Sequence, residues 1–262
     1  MPDDLYQVTQ NGPVITFRLT RPEKLNAMLP ATIDALRDTI NEFRDLEEVR
    51  VLVIRSTGRY FSAGMDVTGQ ATKYPSGSGT AFRRLYRQLH LVFDELEAVE
   101  KPVVVAIQGP CLGGALELSV SCDFRLASDR ATFRLPEIDL ACLPGSGGVS
   151  RLTRLVGPAW ARWLVIAGQS VDAEAAIRMG LVHEVYPEAD FDKRVDDFVT
   201  GLASKPGEAV ALAKVAIELC ADADRSSGRH IERIANSMLV GAPAHRAAVE
   251  SFAARRRPKR GG

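Results

Sequence analysis

The sequence Gly109-Pro110-Cys111-Leu112-Gly113-Gly114-Ala115-Leu116-Glu117 comes one residue after the wholly apolar run Val103-Val104-Val105-Ala106-Ile107. An apolar run without alternation is typical of a strand that is buried on both faces of a parallel sheet. The two adjacent glycines favour a tight turn into a helix. Together they predict a strand, a turn and a helix, and repeats of this unit build α/β folds with parallel strands.

The turn at Gly113 and Gly114 could also bind an anionic ligand. The first backbone N–H groups of a helix have no partners within the helix, and the helix dipole adds partial positive charge there. Glu117 comes three residues after Gly114, and its side chain leans back toward the start of the helix. We therefore expect its carboxylate near any ligand oxygen that the Gly114 N–H binds, although such a glutamate more often serves as a partner of the helix dipole.

A second glycine loop and a second carboxylate extend this pattern. Phe61-Ser62-Ala63-Gly64-Met65-Asp66 follows the apolar run 51–54, and ligands of parallel sheets bind beyond the carboxyl ends of strands. Two N–H groups from two such loops can form an oxyanion hole. Glu137 follows Phe133-Arg134-Leu135-Pro136. Two carboxylates at one small site cannot both ionise cheaply, so we expect one acid and one base.

Hydrophobic periodicity predicts the remaining elements. The expected strands are 14–19, 51–54, 103–107, 124–127 and 131–133, and the expected helices are 31–43, 81–99, 191–202, 207–220 and 229–252. We therefore predict an α/β core over residues 1–200 and a helical region over residues 201–262.

The composition excludes several classes of partner. The 33 basic and 33 acidic residues cancel, so no broad charge favours nucleic acid or an anionic membrane. No apolar run approaches the length of a membrane-spanning helix, and residues 1–11 show no targeting signal. The four cysteines and four histidines have no metal-binding spacing. These features predict a cytoplasmic protein without a metal.

Seven segments together resemble the signature of the enoyl-CoA hydratase/isomerase (crotonase) superfamily. Their order and spacing hold from about residue 14 to residue 187. The segments are Arg21-Pro22-Glu23-Lys24-Leu25-Asn26-Ala27, Phe61-Ser62-Ala63-Gly64-Met65-Asp66, Lys101-Pro102 through Gly109, Leu112-Gly113-Gly114-Ala115-Leu116-Glu117-Leu118, Pro136-Glu137-Ile138, Leu143-Pro144-Gly145-Ser146-Gly147-Gly148 and Gly180-Leu181-Val182.

The resemblance implies a fold, an assembly and a substrate. The fold would be a spiral of repeated β/α units with a C-terminal helical trimerisation region, and the assembly a homotrimer or a hexamer of two trimers. The substrate would be an acyl-CoA thioester, with coenzyme A as part of the substrate and no separate cofactor. The thioester oxygen would lie between the backbone N–H groups of Met65 and Gly114. The positions that would line the CoA path are Lys24, Leu25, Ala27, Ala63, Asp66 and Val67.

The presence of both glutamates resembles the hydratase branch of this superfamily. It implies syn addition of water to a trans-2-enoyl-CoA, giving a 3-hydroxyacyl-CoA. Glu117 would activate the water that attacks C3, and Glu137 would give a proton to C2. The alternatives are an enoyl-CoA isomerase, another acyl-CoA reaction on the same scaffold, and a non-catalytic acyl-CoA-binding or RNA-binding member.

Two further groups of residues have two possible roles each. Ala141, Cys142 and Leu143, just ahead of Gly145, either border the acyl pocket or serve in packing. The arginines of the predicted helix 81–99 either approach a CoA phosphate or a polar acyl group, or lie on a solvated helix face, which is the commoner role. These arginines are Arg83, Arg84 and Arg87.

Overall fold

The computed structural model describes residues 5–67 and 79–256. The chain divides into two compact units, Met1–Ala203 and Ser204–Gly262. Within the described ranges, no helix is both long enough and apolar enough to cross a membrane.

Most strands of the first unit belong to one sheet. Its order is β1-β2-β3-β4-β6-β9, with β1 antiparallel to β2 and the other neighbours parallel. A smaller sheet pairs β5 with β7 in parallel and β7 with β8 in antiparallel orientation. The strands are β1 (Tyr6–Asn11), β2 (Val14–Leu19), β3 (Val51–Ser56), β4 (Val103–Ile107), β5 (Cys111–Leu112), β6 (Phe124–Ser128), β7 (Thr132–Arg134), β8 (Val171–Asp172) and β9 (Glu184–Tyr186).

Helices connect these strands and form the second unit. The helices are α1 (Pro30–Asp45), α2 (Gly79–Ala98), α3 (Gly114–Ser119), α4 (Gly148–Val165), α5 (Ala173–Arg178), α6 (Phe191–Ala203), α7 (Gly207–Asp222), α8 (Arg225–Leu239) and α9 (Pro243–Arg256). Short 3-10 helices occur at Pro22–Lys24, Pro136–Leu140 and Glu188–Asp190. The parallel strands and the α/β class confirm the prediction from sequence.

The prediction of one helix over residues 229–252 was wrong. The chain forms α8 and α9 instead, with a break at residues 240–242. Gly241 has a φ of 86° there, which is left-handed backbone that cannot continue a helix. Pro243 then begins α9, where the lack of an N–H costs nothing.

The central strands β3 and β4 are buried along their whole length. Side chains of alternate residues enter two apolar clusters on opposite faces of the sheet. Val103, Val105 and Ile107 join the cluster that includes residues of α1 and α2, whereas Val104 and Ala106 join residues of α6. Burial of each large apolar side chain stabilises the fold by about 1.5–3 kcal/mol. The two strands therefore hold the loops at their carboxyl ends in fixed positions.

Candidate active site

The loops after β3 and β4 are joined by backbone hydrogen bonds. The Ser62 N–H donates to the Pro110 carbonyl at 3.2 Å, and the Leu112 N–H donates to the Ser62 carbonyl at 3.0 Å. The two glycine loops identified in the sequence therefore meet at one edge of the sheet, where parallel strands end and ligands usually bind.

Two backbone N–H groups come close together at this junction. A Cβ atom on Gly64, whose φ is 90°, would lie 3.0 Å from the Gly114 nitrogen, and a Cβ atom on Gly114 would lie 3.5 Å from the Met65 nitrogen. Neither the Met65 N–H nor the Gly114 N–H donates to another group in the described part of the chain. Side chains at either glycine would occupy the space between the loops, so the pair of free donors depends on glycine.

The turn at Gly113 approaches the second carboxylate. Gly113 has a φ of 54°, and its N–H donates to the Arg134 carbonyl at 2.9 Å. A Cβ atom at Gly113 would lie 2.8 Å from Glu137 Oε1. The small sheet of β5, β7 and β8 therefore brings Glu137 to the same turn from which α3 and Glu117 start.

Glu117 is buried and firmly held. Its Oε1 atom accepts hydrogen bonds from the Ser146 N–H at 2.7 Å and the Gly148 N–H at 3.0 Å. Burial raises the pKa of Glu117, while these two bonds and the charge of Arg151 oppose that rise. The two backbone N–H groups thus fix the orientation of the carboxyl group. They also provide hydrogen bonds that stabilise its charged form.

Glu137 has a different environment. Its Oε2 atom is buried and has no hydrogen-bond partner within the described residues. Burial raises the pKa of Glu137 from 4.5 to about 7, and the negative charge of Glu117 adds to that rise. The protonated form of Glu137 is therefore accessible near neutral pH, and its carboxyl group can donate a proton into the site.

Arg151, the fourth residue of α4, fixes the segment that holds Glu117. Its Nη2 atom lies 2.6 Å from both Asp94 Oδ1 and Glu97 Oε2 on α2, and its Nη1 atom donates to the Ser146 carbonyl at 3.3 Å. The guanidinium is almost fully buried. It therefore connects α2 with the loop whose N–H groups bind Glu117.

The loop at residues 24–27 has strained backbone. Leu25 and Asn26 adopt left-handed conformations, with φ values of 52° and 53°. The buried Asn26 side chain accepts from the Arg21 N–H at 2.9 Å and donates to the Thr57 and Tyr60 carbonyls at 2.7 and 2.9 Å. These hydrogen bonds offset the energetic cost of the left-handed backbone and hold the loop against the segment that follows β3.

The positions expected to line a CoA path fall on two neighbouring loops. The Ala63 N–H donates to the Leu25 carbonyl at 2.9 Å, which joins the loops. Buried Asp66 forms an ion pair with Arg21 at 3.0 Å, so its carboxylate has a structural partner. Lys24, Leu25 and Val67 are exposed, and Ala27 and Ala63 are half-buried.

The structure thus brings together all four residues predicted for catalysis: Glu117, Glu137, Met65 and Gly114. Sequence reasoning missed the N–H donors of Ser146 and Gly148, and it missed Arg151. The glycine-rich motif at 143–148 was a signal for the donors, because adjacent glycines allow other groups close to the backbone. A lone arginine in the sequence gave no comparable signal.

Comparison with known proteins identifies the family of the chain. The model of the enoyl-CoA hydratase/isomerase family matches residues 9–261. The chain is 30% identical over 246 residues to the probable enoyl-CoA hydratase 2, mitochondrial, of Arabidopsis thaliana, covering 94% of this chain and 80% of that protein. It is 32% identical over 240 residues to the crotonyl-CoA hydratase of Syntrophomonas wolfei, covering 91% of each.

Solved structures show the same fold. The crystal structure of an enoyl-CoA hydratase from Bacillus anthracis matches with a TM-score of 0.89 and 28% identity, over 97% of this chain and 98% of that chain. The predicted crotonase-type fold with C-terminal helices is confirmed.

Proposed function

The chain belongs to the enoyl-CoA hydratase/isomerase family, and from that membership we propose that it is an enoyl-CoA hydratase. It would add water in syn geometry to a trans-2-enoyl-CoA and form a 3-hydroxyacyl-CoA. One observation carries the proposal: Glu137 reaches the turn from which Glu117's helix starts, two N–H groups there have no acceptor among the described residues, and the two carboxyl groups have different environments. Glu117 accepts two hydrogen bonds, whereas Glu137 keeps a buried oxygen that has no partner in the part of the chain that the structure describes. Relatives named as hydratases support it.

In this proposal the thioester oxygen accepts hydrogen bonds from the Met65 and Gly114 N–H groups. Negative charge collects on that oxygen when water attacks C3, and fixed donors stabilise the charge without reorganising. A single donor of this kind is worth about 10²–10³ in rate. The oxyanion hole therefore lowers the barrier for attack of water on C3 and also polarises the double bond of the substrate.

The two glutamates divide the proton transfers. The Glu117 carboxylate takes a proton from water as the water oxygen bonds to C3. The enolate that results takes a proton at C2 from the Glu137 carboxyl group, and the thioester carbonyl re-forms. One molecule of water is added in total, and proton exchange with solvent restores both glutamates.

The remaining assignments follow from the same proposal. The CoA moiety would lie along Lys24, Leu25, Ala27, Ala63, Asp66 and Val67, and coenzyme A would be needed only as part of the substrate. We propose a homotrimer or a hexamer of two trimers. A cytoplasmic location stays a prediction from sequence, and one relative carries a mitochondrial name.

Product analysis in heavy water tests the proposed reaction. Incubation with crotonyl-CoA should give 3-hydroxybutyryl-CoA that carries deuterium at C2, with loss of the absorbance of the conjugated thioester. Conversion of 3-butenoyl-CoA to crotonyl-CoA without any hydration would replace the proposal with an isomerase. Binding of crotonyl-CoA without turnover of either compound would indicate a binding protein instead.

A further inference from the structure

A cavity of about 400 Å³ lies in the first unit, between residues of α2 and residues 142–145. One wall is a face of α2 and consists of Arg83, Tyr86, Arg87 and His90. Residues spaced by three, four and seven positions share one side of a helix, so these four side chains point the same way. The volume is within the range of small-molecule pockets.

The other lining residues, which contact α2 through a hydrogen bond between His90 Nε2 and the Gly145 carbonyl at 2.5 Å, are close in sequence to the candidate catalytic machinery. They are Cys142, Leu143 and Gly145. The Cys142 N–H donates to the Glu137 carbonyl at 3.1 Å. Gly145 precedes Ser146, whose N–H binds Glu117. These lining residues are therefore neighbours of the segments that hold Glu137 and Glu117.

The cavity carries positive charge that its own walls do not neutralise. Within residues 5–67 and 79–256, neither Arg83 nor Arg87 forms an ion pair with a carboxylate, and Arg83 donates a hydrogen bond to the Thr80 hydroxyl at 3.2 Å. No acidic side chain is among the described lining residues. Arg151, in contrast, is compensated by two carboxylates of α2. Two unpaired guanidinium groups in one concave site favour an anionic ligand.

The cavity is separate from the expected path of CoA. None of its described lining residues belongs to the loops 24–27 and 63–67. The two arginines are therefore placed for the acyl end of a substrate rather than for the phosphates of CoA. Tyr86 and Leu143 supply apolar surface for a methylene chain.

We propose that the preferred substrate carries a carboxylate at the far end of its acyl chain, so that it is the mono-CoA thioester of an unsaturated dicarboxylic acid. Arg83 and Arg87 bind the distal carboxylate, and the chain runs past Leu143. This inference rests on the proposed function, because it takes the thioester to lie at the turn of Gly114. Guanidinium groups suit the role because they bind carboxylates through two parallel hydrogen bonds.

Binding of saturated thioesters tests this inference without turnover. Isothermal titration calorimetry on the full chain would compare adipoyl-CoA with hexanoyl-CoA, which differ only in the terminal carboxylate and methyl group. Glutaryl-CoA and suberoyl-CoA, with their monocarboxylic counterparts, cover shorter and longer chains. The protein should bind the dicarboxylic thioester of the best length about 10- to 100-fold more tightly than its counterpart.

The variants Arg83→Met and Arg87→Met should lose most of that preference and keep their affinity for hexanoyl-CoA, which also shows that they are folded. Arg84→Met is the matched control, because Arg84 is exposed on the same helix, as Arg83 and Arg87 are, but does not line the cavity. Its preference should be unchanged.

Two results would overturn the inference. One is equal affinity of the unaltered protein for both classes at every length. The other is an equal loss for both classes in Arg83→Met or Arg87→Met, which would assign the arginines to CoA. If the preference depends on the arginines but no enoyl-CoA is hydrated, the inference stands and the proposed reaction fails.

Discussion

At the scale of single residues, the carboxyl groups of Glu117 and Glu137 have different environments. Hydrogen bonds from Ser146 and Gly148 stabilise the charged form of Glu117. None of the described residues donates a hydrogen bond to the buried Glu137 Oε2, so ionisation of that carboxyl group is costly. Because each setting follows from local contacts, the assignment of Glu117 as base and Glu137 as acid can be tested through pH.

The raised pKa of Glu137 predicts a pH-dependent gain of stability in the variant Glu137→Gln. The folded protein holds this proton up to about pH 7, whereas the reference carboxyl group loses it near 4.5. The neutral Glu137 side chain therefore stabilises the folded state fully at low pH. This contribution to the free energy of unfolding is lost as pH rises from about 4.5 to about 7. Glutamine stays neutral, so the variant should gain in Tm relative to the unaltered protein between about pH 5 and about pH 8.

Thermal unfolding across that pH range measures the difference. Glu100→Gln is the control, because Glu100 is exposed and its replacement should leave the Tm difference independent of pH. A Tm difference for Glu137→Gln that does not grow with pH would show that the carboxyl group is not held in its neutral form.

At the scale of elements, sequence patterns predicted the central strands well. Runs such as Val103 to Ile107 are apolar because both faces of the sheet are covered, and the structure confirms this burial. Helix α4 was not predicted. It begins with glycines, and Gly157 interrupts it with a φ of 75° just before Pro158, so its periodicity is concealed.

The contacts of the candidate site were only partly predictable. Glu117 and Glu137 could be identified from short sequence motifs, because Gly113 and Gly114 come shortly before Glu117 and Pro136 directly precedes Glu137. The bonds from Ser146 and Gly148 to Glu117 span about 30 residues of chain. They depend on how α3 packs against α4, and no local pattern encodes that packing.

Arg151 should act as a positioning residue, and its replacement should move the pH profile. Its charge lowers the pKa of Glu117, so the variant Arg151→Met should raise that pKa and shift the acidic limb of kcat/KM to higher pH. The loop at Ser146 should also loosen, with a loss of about 10- to 100-fold in kcat. Steady-state kinetics with crotonyl-CoA over a range of pH measures both effects.

Two further variants control this experiment. Arg151→Lys keeps the positive charge, so the acidic limb of its kcat/KM profile should lie close to the pH of the unaltered protein. Arg154→Met alters an exposed arginine of the same helix and should change neither quantity. A fall in kcat without any shift of the limb would mean that Arg151 only stabilises the fold.

At the scale of the whole molecule, the second unit exposes much apolar surface. Helices α7, α8 and α9 and the break between α8 and α9 present large apolar side chains to solvent, which usually marks an interface between proteins. The helical side chains are Ile217, Leu219, Ile234, Met238, Val249 and Phe252, and Val240 lies in the break. The surface supports the proposed trimer or hexamer.

A charge on this surface should prevent assembly. Ile234 and Met238 are one turn apart on α8 and share a face, so Ile234→Glu should place a carboxylate in the interface and lower the molar mass measured by light scattering. Asn236→Glu adds the same charge on the other side of the helix and should leave the mass unchanged. A monomeric unaltered protein would contradict the proposed assembly.

In the proposed reaction, Glu117 and Glu137 together hydrate an enoyl thioester. The most direct measurement is kcat for crotonyl-CoA in the unaltered protein, in Glu117→Gln and in Glu137→Gln, followed by the absorbance of the conjugated thioester. We expect rapid hydration by the unaltered protein and a loss of about 10²–10⁴ in each variant. Unchanged kcat in either variant would contradict the account, because that glutamate would then have no part in the proton transfers.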